Sequence, residues 1–159
     1  MSHVERVIDI DASPTEVWAT VADLDFVGDW NPNVISATTS DGPFGLGTTR
    51  SCEFTPSGRI DEVVSAWEPE RLLEFEVGRH GGIRGARMGI KLKPADSVTQ
   101  VTAIADYELA FGPLGPVMDR LMVQRQLGRM LQRSLDGLKQ HVESARSNAM
   151  PARIRGATE

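Results

Sequence analysis

The stretch PLGPVMDRLMVQRQLGRMLQRSLDGLKQHVESA, from Pro113 to Ala145, has the pattern of one long amphipathic helix. Val117, Leu121, Leu131, Leu135, Leu138, Val142 and Ala145 recur at helical spacing and make a single apolar face. At ~1.5 Å per residue the helix spans roughly 45 Å, longer than a small bundle requires, so a curved sheet is expected to wrap around it. Two positions due on that face, Gln124 and Gly128, are not apolar, and Met118, Met122 and Met130 flank them. Where the stripe thins, helix and sheet should not fill the space between them, and a pocket is expected there.

Working outward, 159 residues that are 40% hydrophobic and 25% charged suit one soluble globular domain with a core of useful size. A net charge of −5 argues against a nucleic-acid partner, which needs a basic face, and against electrostatic docking on anionic membranes. Cys52 is the single cysteine, so no disulfide framework or thiolate metal site is expected. No apolar run approaches the ~20 residues of a spanning helix, and the N-terminus lacks a signal-peptide core. These features predict a cytoplasmic protein with no stable membrane insertion.

Residues 3–11 alternate imperfectly and predict a first strand. Ser13-Pro14-Thr15-Glu16 then carries a capping box with proline at the first helical position, and Val17, Trp18, Val21 and Leu24 give that helix its buried side. A second short helical turn ends at Asn31-Pro32 and carries Phe26 and Trp30. From Val34 the period changes. Val34–Thr39, Thr48–Phe54, Arg59–Trp67, Arg71–Val77, Arg84–Leu92 and Val98–Leu109 read as strands, each of the later ones apolar on one side, as in an antiparallel sheet with a solvated outer face. Asn148 to Glu159 lack apolar periodicity and predict a frayed tail.

This order of elements, with Ala12-Ser13-Pro14-Thr15-Glu16-Val17-Trp18, Trp30-Asn31-Pro32 and Ala66-Trp67-Glu68-Pro69-Glu70-Arg71-Leu72, resembles the helix-grip fold of the START-like (SRPBCC) superfamily, in particular its polyketide cyclase/dehydrase group. The resemblance implies an α+β fold: a curved seven-stranded antiparallel sheet around a long C-terminal helix, with two short helices after the first strand. It implies a single domain over 1–146 followed by a tail over 147–159. It does not specify chemistry, because such folds host unrelated functions.

His3, His80 and His141 show no ligand spacing, the serines sit in no nucleophile elbow, and the Gly42–Gly47 loop precedes a strand rather than a helix. No metal or cofactor is therefore expected. The polar candidates lie in the second hairpin. If residue 54 pairs near residue 59, Arg50, Cys52 and Phe54 share a face with Asp61, Val63, Ser65 and Trp67, a face that the resemblance turns inward. Arg50 would then lie diagonal to Asp61 and form a charge-assisted pair able to orient a ligand carbonyl or carboxylate. A one-residue shift of register puts both charges in water. Tyr107 is either a ligand donor or a core residue bonded locally. Trp30 corresponds to a tryptophan that closes the cavity entrance in aromatase/cyclases, or it is a plug under the helix corner. Those enzymes also carry a cavity arginine late in the strand that ends here at Trp67.

Two functions follow as expectations. The first is binding of a hydrophobic small molecule, with Phe26, Trp30, Phe54, Trp67, Phe75, Met88, Ile90, Met118, Leu121, Met122 and Gln124 lining the pocket. The second is a cofactor-free polyketide cyclase or dehydratase with Arg50, Asp61 and Tyr107 as its catalytic groups. A homodimer bearing an exposed apolar patch is a third reading.

Overall fold

A computed structural model describes residues 1–155. Strands β1 (Ser2–Ile10), β2 (Val34–Thr39), β3 (Thr49–Phe54), β4 (Gly58–Glu68), β5 (Leu72–Val77), β6 (Ile83–Ala95) and β7 (Val98–Leu109) form one antiparallel sheet in the order β1-β7-β6-β5-β4-β3-β2. Helices α1 (Pro14–Val21) and α2 (Val27–Trp30) follow β1, as expected. A short helix α3 (Gly115–Met118) and a turn of π-helix (Asp119–Val123) lead into α4 (Gln124–Arg155), which the sheet grips.

Local chemistry sets these boundaries. Ser13 accepts from the Glu16 amide while the Glu16 carboxylate accepts from the Ser13 amide, the capping box expected at the start of α1. Leu131, Leu135, Leu138 and Val142 of α4 are buried against Ile10, Val101, Ala103 and the corner residues Val27 and Trp30. Buried Asn33 fixes that corner to α4, donating to the Met130 carbonyl at 2.9 Å and to Ser134 Oγ at 3.0 Å. Gly137 makes the close approach possible, because a Cβ there would lie 2.1 Å from the Trp30 carbonyl oxygen.

Three expectations need correction. The hairpin register is offset by one residue: Phe54 pairs with Gly58, so Arg50 faces Glu62 and Ser51 faces Asp61. Gly58 has φ +81, a left-handed conformation that lets it close the Thr55–Ser57 loop and still begin β4. Second, the apolar stripe does not stay buried toward the N-terminal end of the long helix. The π turn carries a bond from the Gln124 amide to the Asp119 carbonyl, and its extra residue rotates everything before it. Gly115 and Asp119 therefore point inward, while Val117, Met118, Leu121 and Met122 face solvent. Third, α4 continues as helix past Ser147 to Arg155, where a tail was expected. Its last ties to the sheet among the described residues are the bonds from Arg146 to Asp11, so beyond them it is held by its own backbone bonds. Residues 156–159 lie outside the described residues.

Candidate functional site

A cavity of about 80 Å³ lies between sheet and α4, one to two turns further along the helix than Gln124 and Gly128. Met130, Leu131, Ser134 and Leu135 roof it; Val21, Val27, Trp30 and Asn31 form one wall; Phe54, Leu73, Phe75, Met88, Ile90 and Ala103 form the floor. A small residue on β7, Ala103, lies opposite Ile90 and lines the chamber. A larger side chain at Ala103 would project into the chamber.

One end of the cavity is charged. Arg50 and Glu62 are 7% and 4% exposed, and Glu62 Oε2 accepts from Arg50 Nε at 2.9 Å and Nη2 at 2.7 Å. The guanidinium carbon sits 4.2 Å from the centre of the Phe75 ring, a cation–π contact that replaces part of its lost hydration. Cys52 Sγ lies behind the pair, 3.8 Å from the same Oε2. Burial pushes the Cys52 thiol up to about 12; the Arg50 charge opposes that shift and Glu62 adds to it. The thiol is thus a protonated packing group and no nucleophile. Every contact falls on Oε2, so among the described residues Glu62 Oε1 and Arg50 Nη1 carry no protein hydrogen bond. The indole N–H of Trp30 is buried and also lacks a partner. Apolar walls with several uncommitted polar groups are the makeup of a small-molecule site.

The structure brings together Trp30, Phe54, Phe75, Met88 and Ile90 of the expected lining with Arg50 of the expected catalytic groups. It separates the others. Asp61 is on the outer face, its side chain 73% exposed, bonded to Ser51 Oγ at 2.5 Å and Arg59 Nε at 3.2 Å. Tyr107 is buried at the far end of β7, where its hydroxyl donates to Asp119. Burial, reinforced by that carboxylate, raises its pKa, so the phenol stays protonated. Trp67 turns inward only after the irregularity between Val64 and Ala66, and it meets Trp18 edge-on at 5.3 Å, which takes it out of the cavity. Gln124 reaches Asp119 Oδ2 at 3.3 Å, and the notch at Gly128 is filled by the Arg6 guanidinium. Phe26, Met118, Leu121 and Met122 are exposed. Sequence reasoning missed Glu62, Asn31 and Ser134. The alternation Ile60-Glu62-Val64 within β4 is more apolar than Arg59-Asp61-Val63 and marks the inward set.

An open groove of about 730 Å³ runs outside, between α2 and α4, past Asp29, Arg133, Asp136 and His141. Trp30 is the one residue lining both this groove and the inner cavity, so it stands between the two.

The profile of the family described as "Polyketide cyclase / dehydrase and lipid transport" matches residues 1–143. No curated protein matches the chain. Similar solved structures include TTHA0849 from Thermus thermophilus, 20% identical, covering 91% of this chain and 99% of that one with a TM-score of 0.74. A START superfamily protein from Mycobacterium smegmatis is 15% identical, with 90% and 98% covered and a TM-score of 0.72. The Zhui aromatase/cyclase from Streptomyces sp. R1128 is 18% identical, with 89% and 93% covered and a TM-score of 0.72. At these identities the likeness concerns the fold.

Proposed function

This chain belongs to the polyketide cyclase/dehydrase and lipid transport family, and from that premise we propose that it binds a hydrophobic small molecule bearing a polar head in the cavity beneath Leu131 and Leu135. The observation that carries the proposal is the Arg50–Glu62 pair at the end of an otherwise apolar chamber. A buried pair contributes little to stability compared with apolar residues of the same volume. It does supply what a ligand carbonyl, carboxylate or hydroxyl needs: the uncommitted Nη1 and Oε1. Apolar walls take the rest of the guest.

The volume sets a condition. About 80 Å³ holds a few waters, whereas ligand sites of this type measure ~300–1,000 Å³. A lipid- or polyketide-sized guest therefore requires a wall to move, and the partly exposed lining residues are Met88, Ile90, Met130 and Ser134, whereas Trp30 is buried. Met88 and Met130, unbranched and adaptable, accommodate such repacking. Denaturing mass spectrometry of extracts from the purified protein tests the proposal. A recovered apolar compound that is lost in Ala103→Leu supports it; repeated absence of any compound counts against it.

A second reading, a cofactor-free cyclase or dehydratase, is favoured by one specific feature: Glu62, with one free oxygen in the chamber, takes the place Asp61 was expected to fill as the proton-transfer group, and Arg50 orients the substrate. Glu62→Gln separates the two. An enzyme loses ~10²–10⁴-fold in turnover, and a carrier keeps its affinity.

A further inference from the structure

Leu114, Val117, Met118, Leu121 and Met122 fall at i, i+3, i+4, i+7 and i+8, the spacing of a buried helix face, yet all are exposed, Leu114 by 71% and Leu121 by 58%. Phe111, half exposed at the same end, lies over Gly82 of the β5–β6 turn, and exposed Arg79 belongs to that turn. Within the segment itself the exposed charge is of one sign; the bordering acids come from elsewhere, Glu108 beside Arg120 and paired with Arg84 at 3.5 Å, and Asp29 and Asp136 beside Arg133. Between Ala110 and Leu135 the only acid is Asp119, and it is buried against Tyr107, Ser2 and Gln124. Arg120, Arg125, Arg129 and Arg133 are exposed, and among the described residues none of them makes an ion pair. Arg125, Arg129 and Arg133 recur every fourth residue and form one row along the helix.

From this juxtaposition we infer that the Phe111–Arg133 segment is a docking surface for an anionic lipid bilayer, lying in the interface with Leu114, Val117, Leu121 and Met122 inserted and the arginine row against the headgroups. An apolar face bordered by unpaired cations is the complement of an anionic membrane surface. A second copy of the chain fits less well, because a two-fold contact would set the arginine row of one protomer against that of the other. The overall charge of −5 does not oppose docking, because most acids lie beyond a screening length of roughly 8–10 Å and the bordering Glu108 is paired with Arg84. Docking is peripheral: no helix among the described residues is long and apolar enough to cross a membrane. The inference does not depend on what occupies the inner cavity.

Vesicle flotation tests it, using mixed phosphatidylcholine–phosphatidylglycerol vesicles against phosphatidylcholine alone. Wild-type protein should float with the anionic vesicles, and its partition coefficient should fall about tenfold or more on neutral vesicles or in high salt. Leu121→Glu with Met122→Glu, and separately Arg125→Glu with Arg129→Glu, should each lower it about tenfold or more while leaving the circular dichroism spectrum unchanged. Ala103→Leu, which fills the cavity, should float like the wild type. Failure of the wild type to float on anionic vesicles overturns the inference, as does equal flotation of the surface variants. A dimer in sedimentation that Leu121→Glu dissolves would overturn it in favour of a second copy.

Discussion

Arg50 and Glu62 stand directly opposite one another on β3 and β4, Nη2 to Oε2 at 2.7 Å, and both are almost fully withdrawn from solvent. Removing either partner leaves an uncompensated buried charge, and removing both does not. Arg50→Met should therefore cost ~3–5 kcal/mol, while the double variant Arg50→Met with Glu62→Met should return to within about 1 kcal/mol of the wild type or exceed it. Urea denaturation of the three proteins checks this. A double variant as unstable as the sum of the singles would mean that the pair is a major source of stability and not a functional feature.

Cys52 titrates far above the ordinary thiol range, at about 12. Iodoacetamide at mildly alkaline pH should leave the native protein unlabelled and modify it only on unfolding. The sign of the pH effect follows. Above the ordinary value of about 9 the unfolded thiol releases its proton while the native one keeps it, so stability falls as pH rises from there toward 12. Rapid alkylation of folded protein would contradict the burial.

Two glycines of α4 should respond oppositely to alanine. At Gly128 the new methyl meets only the flexible end of Arg6, which can swing away, so the gain in helix propensity leaves stability unchanged or higher by up to ~1 kcal/mol. At Gly137 it meets the backbone carbonyl of Trp30 and the ring of Pro32, and overpacking should cost ~1–3 kcal/mol. Thermal melts that reverse this order would overturn the described packing of the helix corner.

Asp119 holds the start of the long helix to the end of the sheet. Tyr107→Phe removes a buried donor to that carboxylate and should cost ~1–3 kcal/mol. Hydrogen exchange should show the loss first in residues 112–123, with the Leu131–Val142 region unaffected. Uniform loss of protection would place the anchor's role elsewhere.

Much of this architecture is written in local periodicity. The alternation of Leu73, Phe75 and Val77 and the spacing of Leu131, Leu135, Leu138 and Val142 each depend on neighbours along the chain, and both mark buried faces, though Val77 at the strand end is only partly covered. The candidate site depended on relations that periodicity does not carry. The apolar alternation Ile60-Glu62-Val64 favours Glu62 over Asp61, but the pairing of Arg50 with Glu62 also depends on Gly58, which adopts a left-handed conformation and joins β4. The position of the pocket required knowing that a π turn sets Asp119 inward, where it bonds Tyr107 and Ser2, residues distant in sequence, while Leu121 and Met122 stand at the surface. The space reserved for a ligand at Gly128 is instead taken by Arg6, a side chain from the opposite end of the chain.

The most direct test of the cavity as a binding site is titration of an apolar fluorophore with an anionic head, 1-anilinonaphthalene-8-sulfonate, into wild-type protein and Ala103→Leu. The added side chain projects into the roughly 80 Å³ chamber and leaves the outer groove and the exposed helix face untouched. Saturable binding by the wild type that weakens about tenfold or more in a folded Ala103→Leu protein is the expected result. Equal binding by both proteins, or none by the wild type, would contradict it.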